Sequence, residues 1–387
     1  MTELLSRQYL SLFLGNWGQV TRPTNLVSFL KTKGKVTIVA DSAAKETGRF
    51  SEFIPLSRPK RSLVNKITRG VKLFLEQCEQ DLWNPAMLNT LETLKNNVYT
   101  AVFCHEPVLL PLALAIRNQP QNKENCKLFV DVREFYPRHF ENYIFWRLTL
   151  GKLNGYIVKR YFSQADYLYT VSPDFQEEYR LQYGLDCMLF PSAPRYHNIS
   201  PNPTSADRIR CIHHGGAKPG RKLELMIESM RFLGERFSLD MMLMPNDPGY
   251  LRKLKQLAKE VPNVRILDPV PMETLVDHTK NYDLGVFLLP SNTYNHDHTW
   301  PNKIFEYVQA RLALAIGPSP GMAKFVNDNQ VGVVAPECTA EAFAAILGKL
   351  TASDVDYYKQ NSNEAAKRYC WEENEKFLEK KFPELFG

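Results

Sequence analysis

Long hydrophobic runs are absent from this sequence of 387 residues. No apolar stretch reaches the about 18 residues that a membrane-spanning helix needs, so no such helix is predicted. The apolar segment Tyr9 to Leu14 is short and follows no basic segment. We therefore interpret it as a first strand rather than as a signal peptide.

Paired cysteines and the common phosphate-loop signatures are absent as well. The seven cysteines are scattered singly, without a CxxC pair or a metal-ligand spacing. Such a set is typical of free thiols in a reducing, cytoplasmic compartment. Neither GxxxxGK[ST] nor GxGxxG occurs, and the adjacent His213 and His214 have no third ligand at a useful spacing, so a zinc site is not predicted.

Charge of one sign is not in large excess either. The formal net charge is +6, which makes nucleic acid a weak candidate and fits an anionic ligand or an anionic lipid surface equally well. Hydrophobic residues make up 44% and charged residues 23% of the chain, as in ordinary globular proteins. A chain of this length predicts two domains.

Short apolar runs alternate with amphipathic stretches along both halves of the chain. This pattern predicts α/β architecture with parallel sheets wound with helices. The predicted strands are Tyr9–Leu14, Val36–Ala40, Thr100–Cys104, Lys127–Val130 and Tyr167–Val171, then Ile209–Ile212, Ser238–Met244, Val264–Leu267, Leu284–Leu289, Ala313–Ile316 and Gly332–Val334.

A proline-rich and polar stretch from Phe190 to Ser205 separates the two halves. It predicts a first domain over residues 1–195 and a second over 196–365, followed by a terminal helix over 366–387. Ligands of open parallel sheets bind beyond the carboxyl ends of the strands, so the motifs should lie in the loops that follow them.

In the first half, three such loops carry polar or flexible residues. Gly15 and Gly18 follow the first strand, where glycine allows close backbone approach to a ligand or a simple turn. His105 follows another strand and could polarise or hydrogen-bond a sugar or phosphate. Asp131 and Glu134 follow the next strand and could accept from hydroxyls, or else cap a helix.

In the second half, a glycine-rich loop with basic residues leads into a helix. Gly215 and Gly216 could expose backbone N–H groups to a pyrophosphate, and Arg221 or Lys222 could neutralise it.

The run from Trp300 to Tyr307 predicts an anion-binding helix start. Asn302 and Lys303 lie in the first turn after a proline, and Glu306 lies one turn deeper on the same face, where it can accept from two neighbouring hydroxyls. A phosphate beside a diol indicates a nucleotide. The alternative is an ordinary surface helix with a Lys/Glu pair.

Taken in order, these motifs resemble the group 1 glycosyltransferases, the glycogen-synthase and mannosyltransferase-like family with the GT-B fold. The motifs that carry the resemblance are His105-Glu106-Pro107, Ala165 to Ser172, the Gly-Gly loop with Gly220-Arg221, Pro301 to Tyr307, Gly332 to Val334, and Tyr369 to Glu372. The resemblance implies two facing Rossmann-like domains with an interdomain cleft and a C-terminal helix that crosses back to the first domain.

The resemblance also implies an activity, namely sugar transfer from a nucleotide-diphosphate sugar to a saccharide or lipid-linked saccharide. The reaction would need no metal or other cofactor, with retention favoured over inversion. The implied catalytic residues are His105, Asp131 and Glu134. The implied donor-binding residues are Gly15, Gly18, Gly215, Gly216, Arg221, Lys222, His298, Asn302, Lys303, Glu306, Gly321 and Met322.

Two departures from the family pattern keep other functions open. The family often has a glutamate at the place of His298 and an arginine at the place of Ala217. A nucleotide-sugar epimerase of the same fold, or a saccharide-binding protein without catalysis, are the alternatives.

The first half also contains a basic cluster and an aromatic, apolar run. The cluster comprises Arg58, Lys60, Arg61, Lys66, Arg69 and Lys72. The run extends from Phe140 to Leu150 and contains Arg147. This combination predicts either peripheral binding to the cytoplasmic face of an anionic membrane, or a core helix beside a solvated basic face.

Overall fold

The structure is a computed structural model that describes residues 7–18, 20–43, 50–56 and 63–387. The chain divides into two compact units. The first contains Met1–Pro191, Thr293–Asn295 and Asn374–Gly387, and the second contains Ser192–Asn292 and His296–Glu373. The first segment of the first unit ends at Pro191, whereas the sequence predicts a domain boundary at residue 195.

The first unit is built on a parallel sheet of seven described strands in the order β5-β3-β1-β6-β7-β8-β9, with β2 and β4 forming a separate pair. The strands are β1 Gln8–Leu12, β2 Asn16–Trp17, β3 Lys35–Ala40, β4 Ser42–Ala43, β5 Glu52–Pro55, β6 Ala101–Cys104, β7 Lys127–Val132, β8 Tyr167–Thr170 and β9 Cys187–Leu189. The helices are α1 Thr21–Lys33, α2 Leu63–Phe74, α3 Cys78–Leu82, α4 Pro85–Leu94, α5 Leu110–Arg117, α6 Ile144–Leu148, α7 Leu150–Tyr161 and α8 Pro173–Tyr183.

The second unit is built on a parallel sheet of six described strands in the order β12-β11-β10-β13-β14-β15. These are β10 Ile209–Gly216, β11 Phe237–Met244, β12 Val264–Leu267, β13 Leu284–Phe287, β14 Ala313–Ile316 and β15 Gly332–Val334. The later helices of the chain are α9 Glu224–Ser229, α10 Pro248–Ala258, α11 Leu275–Thr279, α12 Tyr294–His298, α13 Asn302–Gln309, α14 Pro320–Asn329, α15 Ala340–Gly348, α16 Ala352–Arg368, α17 Trp371–Lys381 and α18 Pro383–Phe386.

The predicted α/β class with parallel sheets in both halves is confirmed. The central strands are buried on both faces, which is why they appear in the sequence as continuous apolar runs. The edge strands β5 and β9 were not predicted because they are short and only partly buried. Strand β10 also extends four residues past its predicted end, to Gly216, so His213 and His214 lie within the strand.

The C-terminal segment of the chain packs on the sheet of the first unit. The Phe386 ring lies 6.1 Å from the Tyr9 ring and 6.0 Å from the Phe129 ring, and the Tyr9 hydroxyl donates to Leu385 O over 2.7 Å. The Phe382 ring meets the Phe129 ring edge-on at 5.2 Å. Residues 374–387 therefore belong to the first unit because their aromatic rings complete its core.

Candidate functional site

Two buried histidines, His213 and His214, lie near the end of β10 in the second unit. His213 Nδ1 lies 2.9 Å from Val286 O, and since a carbonyl can only accept, Nδ1 carries the proton. Burial, with Lys303 and Arg221 nearby, lowers the pKa of His213 to about 3. Its neutral ring therefore leaves Nε2 as a buried acceptor without a described partner.

Gly215 makes room for a lysine at the end of the same strand. Its φ of +132° is one that side-chain-bearing residues rarely adopt, and a Cβ there would lie 2.8 Å from Lys303 Nζ. At Gly216 a Cβ would collide with the Asn246 side chain. Both glycines are thus required for packing of nearby side chains, whatever their backbone N–H groups bind.

Lys303 is a buried cation in the first turn of α13. Its Nζ lies 4.7 Å from the centre of the Phe287 ring, and it makes no hydrogen bond or ion pair within the described part of the chain. Burial is the main reason that its pKa falls to about 7, and the nearby Arg221 guanidinium lowers it further. Arg221 Nη1 lies 3.4 Å from Gly216 O, so the two cations share one end of the sheet.

Glu306 lies one turn further along α13 and is also buried. Burial raises the pKa of its carboxyl to about 7, although the charge of Lys303 opposes this shift. Its Oε2 lies 3.4 Å from Nε2 of His214. Burial also lowers the pKa of His214 well below its usual value, so that neutral ring does not provide a positive counter-charge.

We call Lys303, Glu306, His214, Gly215 and Arg221 the lysine–glutamate cluster. It combines two cations held at low dielectric with one carboxylate a helical turn away. Lys303 and Glu306, predicted as neighbours on one helix face, are both buried in it. Such an arrangement can bind an anion beside a hydroxyl group.

The structure separates Lys222 from this cluster. Its backbone has a φ of 45° after the tight turn at Pro219–Arg221, and its side chain is exposed. The Lys222 charge acts on the Cys338 thiol, whereas Arg221 acts on His213, His214 and Lys303. Arg221 and Lys222 were the alternative predictions for neutralising a pyrophosphate, and of the two only Arg221 lies near Lys303.

The predicted residues around α14 pack closely against the segment that precedes α13. Met322 is fully buried, and a Cβ at Gly321 would lie 2.8 Å from the carbonyl of His298. Trp300 Nε1 donates to Gly321 O over 2.9 Å, and Ser319 Oγ donates to His296 O over 3.0 Å. These contacts fix the start of α14 beside residues 296–300, with Asn302 the first residue of α13.

The polar loop before α13 is not free to recognise hydroxyls along its whole length. Asn295 is buried; its Oδ1 accepts from Phe135 N over 2.7 Å and its Nδ2 donates to Phe135 O over 3.2 Å. Tyr294 N donates to Glu141 over 2.9 Å. Tyr294 N and Asn295 therefore make their contacts within the first unit.

The first unit contains its own buried ionic group. His105 follows β6 and Asp131 lies on the adjacent strand β7, and His105 Nδ1 is 3.1 Å from Asp131 Oδ2. Arg22 on α1 contacts the other carboxylate oxygen over 2.9 Å and donates to Phe190 O over 2.8 Å. All three side chains are at most 1% exposed. We call them the Arg22–Asp131–His105 cluster.

The charges in this cluster fix one state of the histidine. Burial acts to raise the pKa of Asp131, but Arg22 and His105 together keep it below its usual value, so the carboxylate is ionised. Burial lowers the pKa of His105 despite that carboxylate. The ring is therefore neutral with its proton on Nδ1, and Nε2 is a buried acceptor without a described partner.

Glu134, the third catalytic candidate from the sequence, is less buried than His105 and Asp131. Its side chain is half-exposed and lies 4.0 Å from His139 Nε2. Arg133 instead approaches His105, donating to its carbonyl oxygen over 3.3 Å and pairing with Glu106. No role was predicted for Arg22 from the sequence, where the only signal was a cation beside Pro23 at the start of a helix.

Gly15 and Gly18 have φ angles of 106° and 99°, which glycine adopts without strain. The Gly15 N–H donates to Asp41 Oδ2 over 3.0 Å. The turn itself therefore accounts for both glycines. Within the described ranges, no group of three or more His, Cys, Asp or Glu side chains could hold a metal ion.

The chain has the α/β fold of the GT-B glycosyltransferases, as the resemblance of its motifs implied. Among solved structures, sucrose-phosphate synthase from Thermosynechococcus elongatus is 12% identical, with 98% of this chain and 99% of that chain covered and a TM-score of 0.70. Anabaena HepE in complex with UDP-glucose is 10% identical, with 94% and 95% covered and a TM-score of 0.66.

A glycosyltransferase from Rickettsia africae is 11% identical, with 97% and 98% of the two chains covered and a TM-score of 0.59. No protein-family model matches the sequence, and no curated protein matches it. At sequence identities this low, the structural similarity shows a shared fold and nothing more specific.

Proposed function

We propose that this protein is a glycosyltransferase that moves a sugar from a nucleotide-diphosphate sugar to a saccharide or lipid-linked saccharide. The observation that carries the proposal is the lysine–glutamate cluster. A lysine buried without an anionic hydrogen-bond partner in the described structure is costly, and a diphosphate would supply that partner.

The chemistry of the cluster fits a nucleoside diphosphate. Lys303 and Arg221 would neutralise the phosphates, helped by the N–H groups of the first turn of α13, which contains no acidic residue. Glu306, one turn deeper, would accept from the ribose hydroxyls. The uridine nucleotides in the HepE complexes make a uridine donor the first to test.

In the proposed reaction, the bond between the anomeric carbon and the β-phosphate oxygen breaks. The acceptor hydroxyl oxygen forms the new bond on the same face of the sugar, and its proton passes to the departing diphosphate. Lys303, Arg221 and the helix N–H groups would stabilise the charge that develops on the leaving group, without a metal or another cofactor.

His105 would act on the transferred sugar. Because its Nε2 is unprotonated, it can accept from a sugar hydroxyl but cannot donate to a phosphate oxygen. The Arg22–Asp131–His105 cluster would hold this tautomer, which gives Arg22 and Asp131 a positioning role.

We place the reaction in bacterial surface polysaccharide or glycolipid synthesis, in the cytoplasm or at the inner face of the membrane. Two proteins with similar structures support this class. WaaG is a glycosyltransferase involved in lipopolysaccharide biosynthesis, and Staphylococcus aureus TarM was solved with UDP and a glycosylated glycerol. No helix in the described residues is long and apolar enough to cross a membrane.

A thermal-shift panel of UDP, GDP, CMP and ADP, followed by the matching sugars, tests the donor class. A ligand that binds the native state raises the melting temperature, and we expect one nucleoside diphosphate to do so. Glu306→Ala should abolish this shift. The matched control is Lys255→Ala, an exposed residue of α10 in the same unit, which should keep it.

An unchanged shift in Glu306→Ala would contradict the ribose assignment, and no shift with any nucleotide would contradict the proposal itself. If the donor sugar alone is epimerised, the protein is an epimerase. Transfer to an acceptor without epimerisation supports the transferase.

A further inference from the structure

The largest exposed apolar side chains of the first unit concentrate on two segments. On α2 and just after it they are Ile67, Val71, Phe74 and Leu75; on and beside α6 they are Tyr143, Ile144, Phe145 and Leu148. Ile67, Val71 and Phe74 are spaced four and three residues apart, so they share one face of α2. Leu73, on the other face, is buried in the core.

The two segments adjoin each other. A Cβ placed on Gly70 of α2 would lie 3.5 Å from the Phe145 ring. Lys152 donates to Phe74 O over 3.0 Å and lies 5.2 Å from the centre of the Phe74 ring. The eight apolar side chains therefore form one surface, which we call the α2–α6 surface.

Three acidic residues in the described segments near this surface are paired with cations. Asp81 is bound by Arg69 over 2.7 Å, Glu76 by Lys152 over 3.0 Å, and Glu141 accepts from Arg138. Exposed cations remain at its edge. Lys72 on α2 and Arg147 on α6 make no ion pair with a described residue, which leaves the edge of the surface positive.

We propose that the α2–α6 surface docks this protein on an anionic membrane. Phe145, Ile144 and Tyr143 would enter the boundary between headgroups and acyl chains, while Lys72 and Arg147 would contact lipid phosphates. A second copy of this chain fits less well, because pairing like surfaces would bring these cations together. The proposal rests on the proposed function only in giving access to a lipid-linked acceptor.

The structure supplies this surface independently of the basic cluster noted in the sequence. Arg58, Lys60 and Arg61 lie outside the described residues, as does the side chain of Lys66, and Arg69 is engaged with Asp81. The proposal therefore depends on the exposed apolar residues of α2 and of the α6 segment, and not on that basic cluster.

Vesicle flotation with the whole chain tests it. We expect binding to vesicles of phosphatidylcholine with phosphatidylglycerol, little binding to phosphatidylcholine alone, and weaker binding at high salt. Phe145→Glu should reduce binding roughly tenfold or more. The control is Leu181→Glu on α8: Leu181 is 64% exposed and Phe145 is 72% exposed, so each change adds one charge at an exposed apolar position of the same unit.

A second variant tests the charge. Lys72→Ala combined with Arg147→Ala should remove the preference for phosphatidylglycerol. All variants should keep the wild-type melting temperature and nucleotide-induced shift, which separates a docking defect from misfolding or from failure of the proposed function.

Three results would overturn the proposal. They are equal binding to both vesicle types, equal loss in Leu181→Glu and Phe145→Glu, or absence of vesicle binding. Self-association of the wild type that Phe145→Glu abolishes, without vesicle binding, would assign the surface to a second copy instead.

Discussion

The pair formed by Lys303 and Glu306 makes the stability of the ligand-free protein depend on pH in two opposite senses. The Glu306 pKa is raised from 4.5 to about 7, so the folded state holds the proton longer and stability falls as pH rises through that window. The Lys303 pKa is lowered from 10.5 to about 7, so the unfolded state binds more protons above pH 7 and stability rises again. The pair therefore contributes a minimum of stability near neutral pH.

Glu306→Gln should remove the acidic side of this dependence. Glutamine resembles the protonated carboxyl, so the variant should match the wild type at or below pH 4.5 and become more stable from there to pH 7, with the gain fully present above pH 7. Melting temperatures of ligand-free protein across this range measure it. A gain that is the same at every pH would show that the carboxyl is not buried as an ionisable group.

Individual residues of the site were predictable to different degrees. The shared helix face of Lys303 and Glu306 was predictable, because residues three apart are neighbours on a helix. Arg22 was not assigned, since its partner Asp131 is more than a hundred positions away in sequence and only the sheet brings them together. Which of Arg221 and Lys222 reaches the cluster depended on a left-handed backbone angle that the sequence does not specify.

Among the secondary-structure elements, the end of β10 packs closely against α13. The backbone of Gly215 leaves space there for the Lys303 side chain. Gly215→Ala would force a Cβ into a left-handed position and to within 2.8 Å of Lys303 Nζ. We expect a loss of about 1–2 kcal/mol in unfolding free energy from the backbone angle and loss of the nucleotide-induced thermal shift from the displaced lysine.

Gly184→Ala is the matched control for this prediction. Gly184 ends α8 with a φ of +63°, and nothing lies within 4 Å of its added Cβ. It should lose stability from its backbone angle yet keep the nucleotide-induced shift. If Gly215→Ala also keeps the shift, the position of Lys303 does not depend on Gly215.

The predicted limits of the strands were correct for some strands and too short for others. Strands β12, β14 and β15 match their predicted limits. Polar residues, Asn263 and Asp268, bound the apolar run of β12. The four residues added to β10 include two histidines and two glycines, which lack the apolar character of a buried strand. They lie in the strand because residues 213–216 continue the parallel pairing of β10 with residues 241–244 of β11.

At the scale of the whole molecule, each unit has a hydrophobic core of its own. Proteins of this kind need not unfold in one step. We expect calorimetry to show two transitions, of which a bound nucleoside diphosphate raises the one that belongs to the second unit.

Phe382→Ala should identify the other transition. The Phe382 ring is 2% exposed and packs on Phe129 and Tyr167 in the first unit, so its loss should cost about 3–5 kcal/mol and lower only that transition. The control Phe232→Ala, at a ring that is 59% exposed in the second unit, should change either transition little. A single transition shifted by both the ligand and Phe382→Ala would show that the units unfold together.

The division into units could be predicted only in part. The proline-rich stretch predicts a boundary at residue 195, and the second compact unit begins at Ser192. The assignment of Thr293–Asn295 to the first unit could not be foreseen, because it follows from hydrogen bonds of Asn295 with Phe135 and not from composition.

The contact between Arg22 and Asp131 also limits how this sequence can change over generations. Replacing either residue alone leaves a buried charge without its partner, which typically lowers the free energy of unfolding by about 3–5 kcal/mol. Replacing both by well-packed neutral residues can leave the free energy of unfolding almost unchanged. A lineage that alters one position is thus expected to alter the other soon after. Substitutions at positions 22 and 131 are therefore expected to be coupled, although the two residues are distant in the sequence.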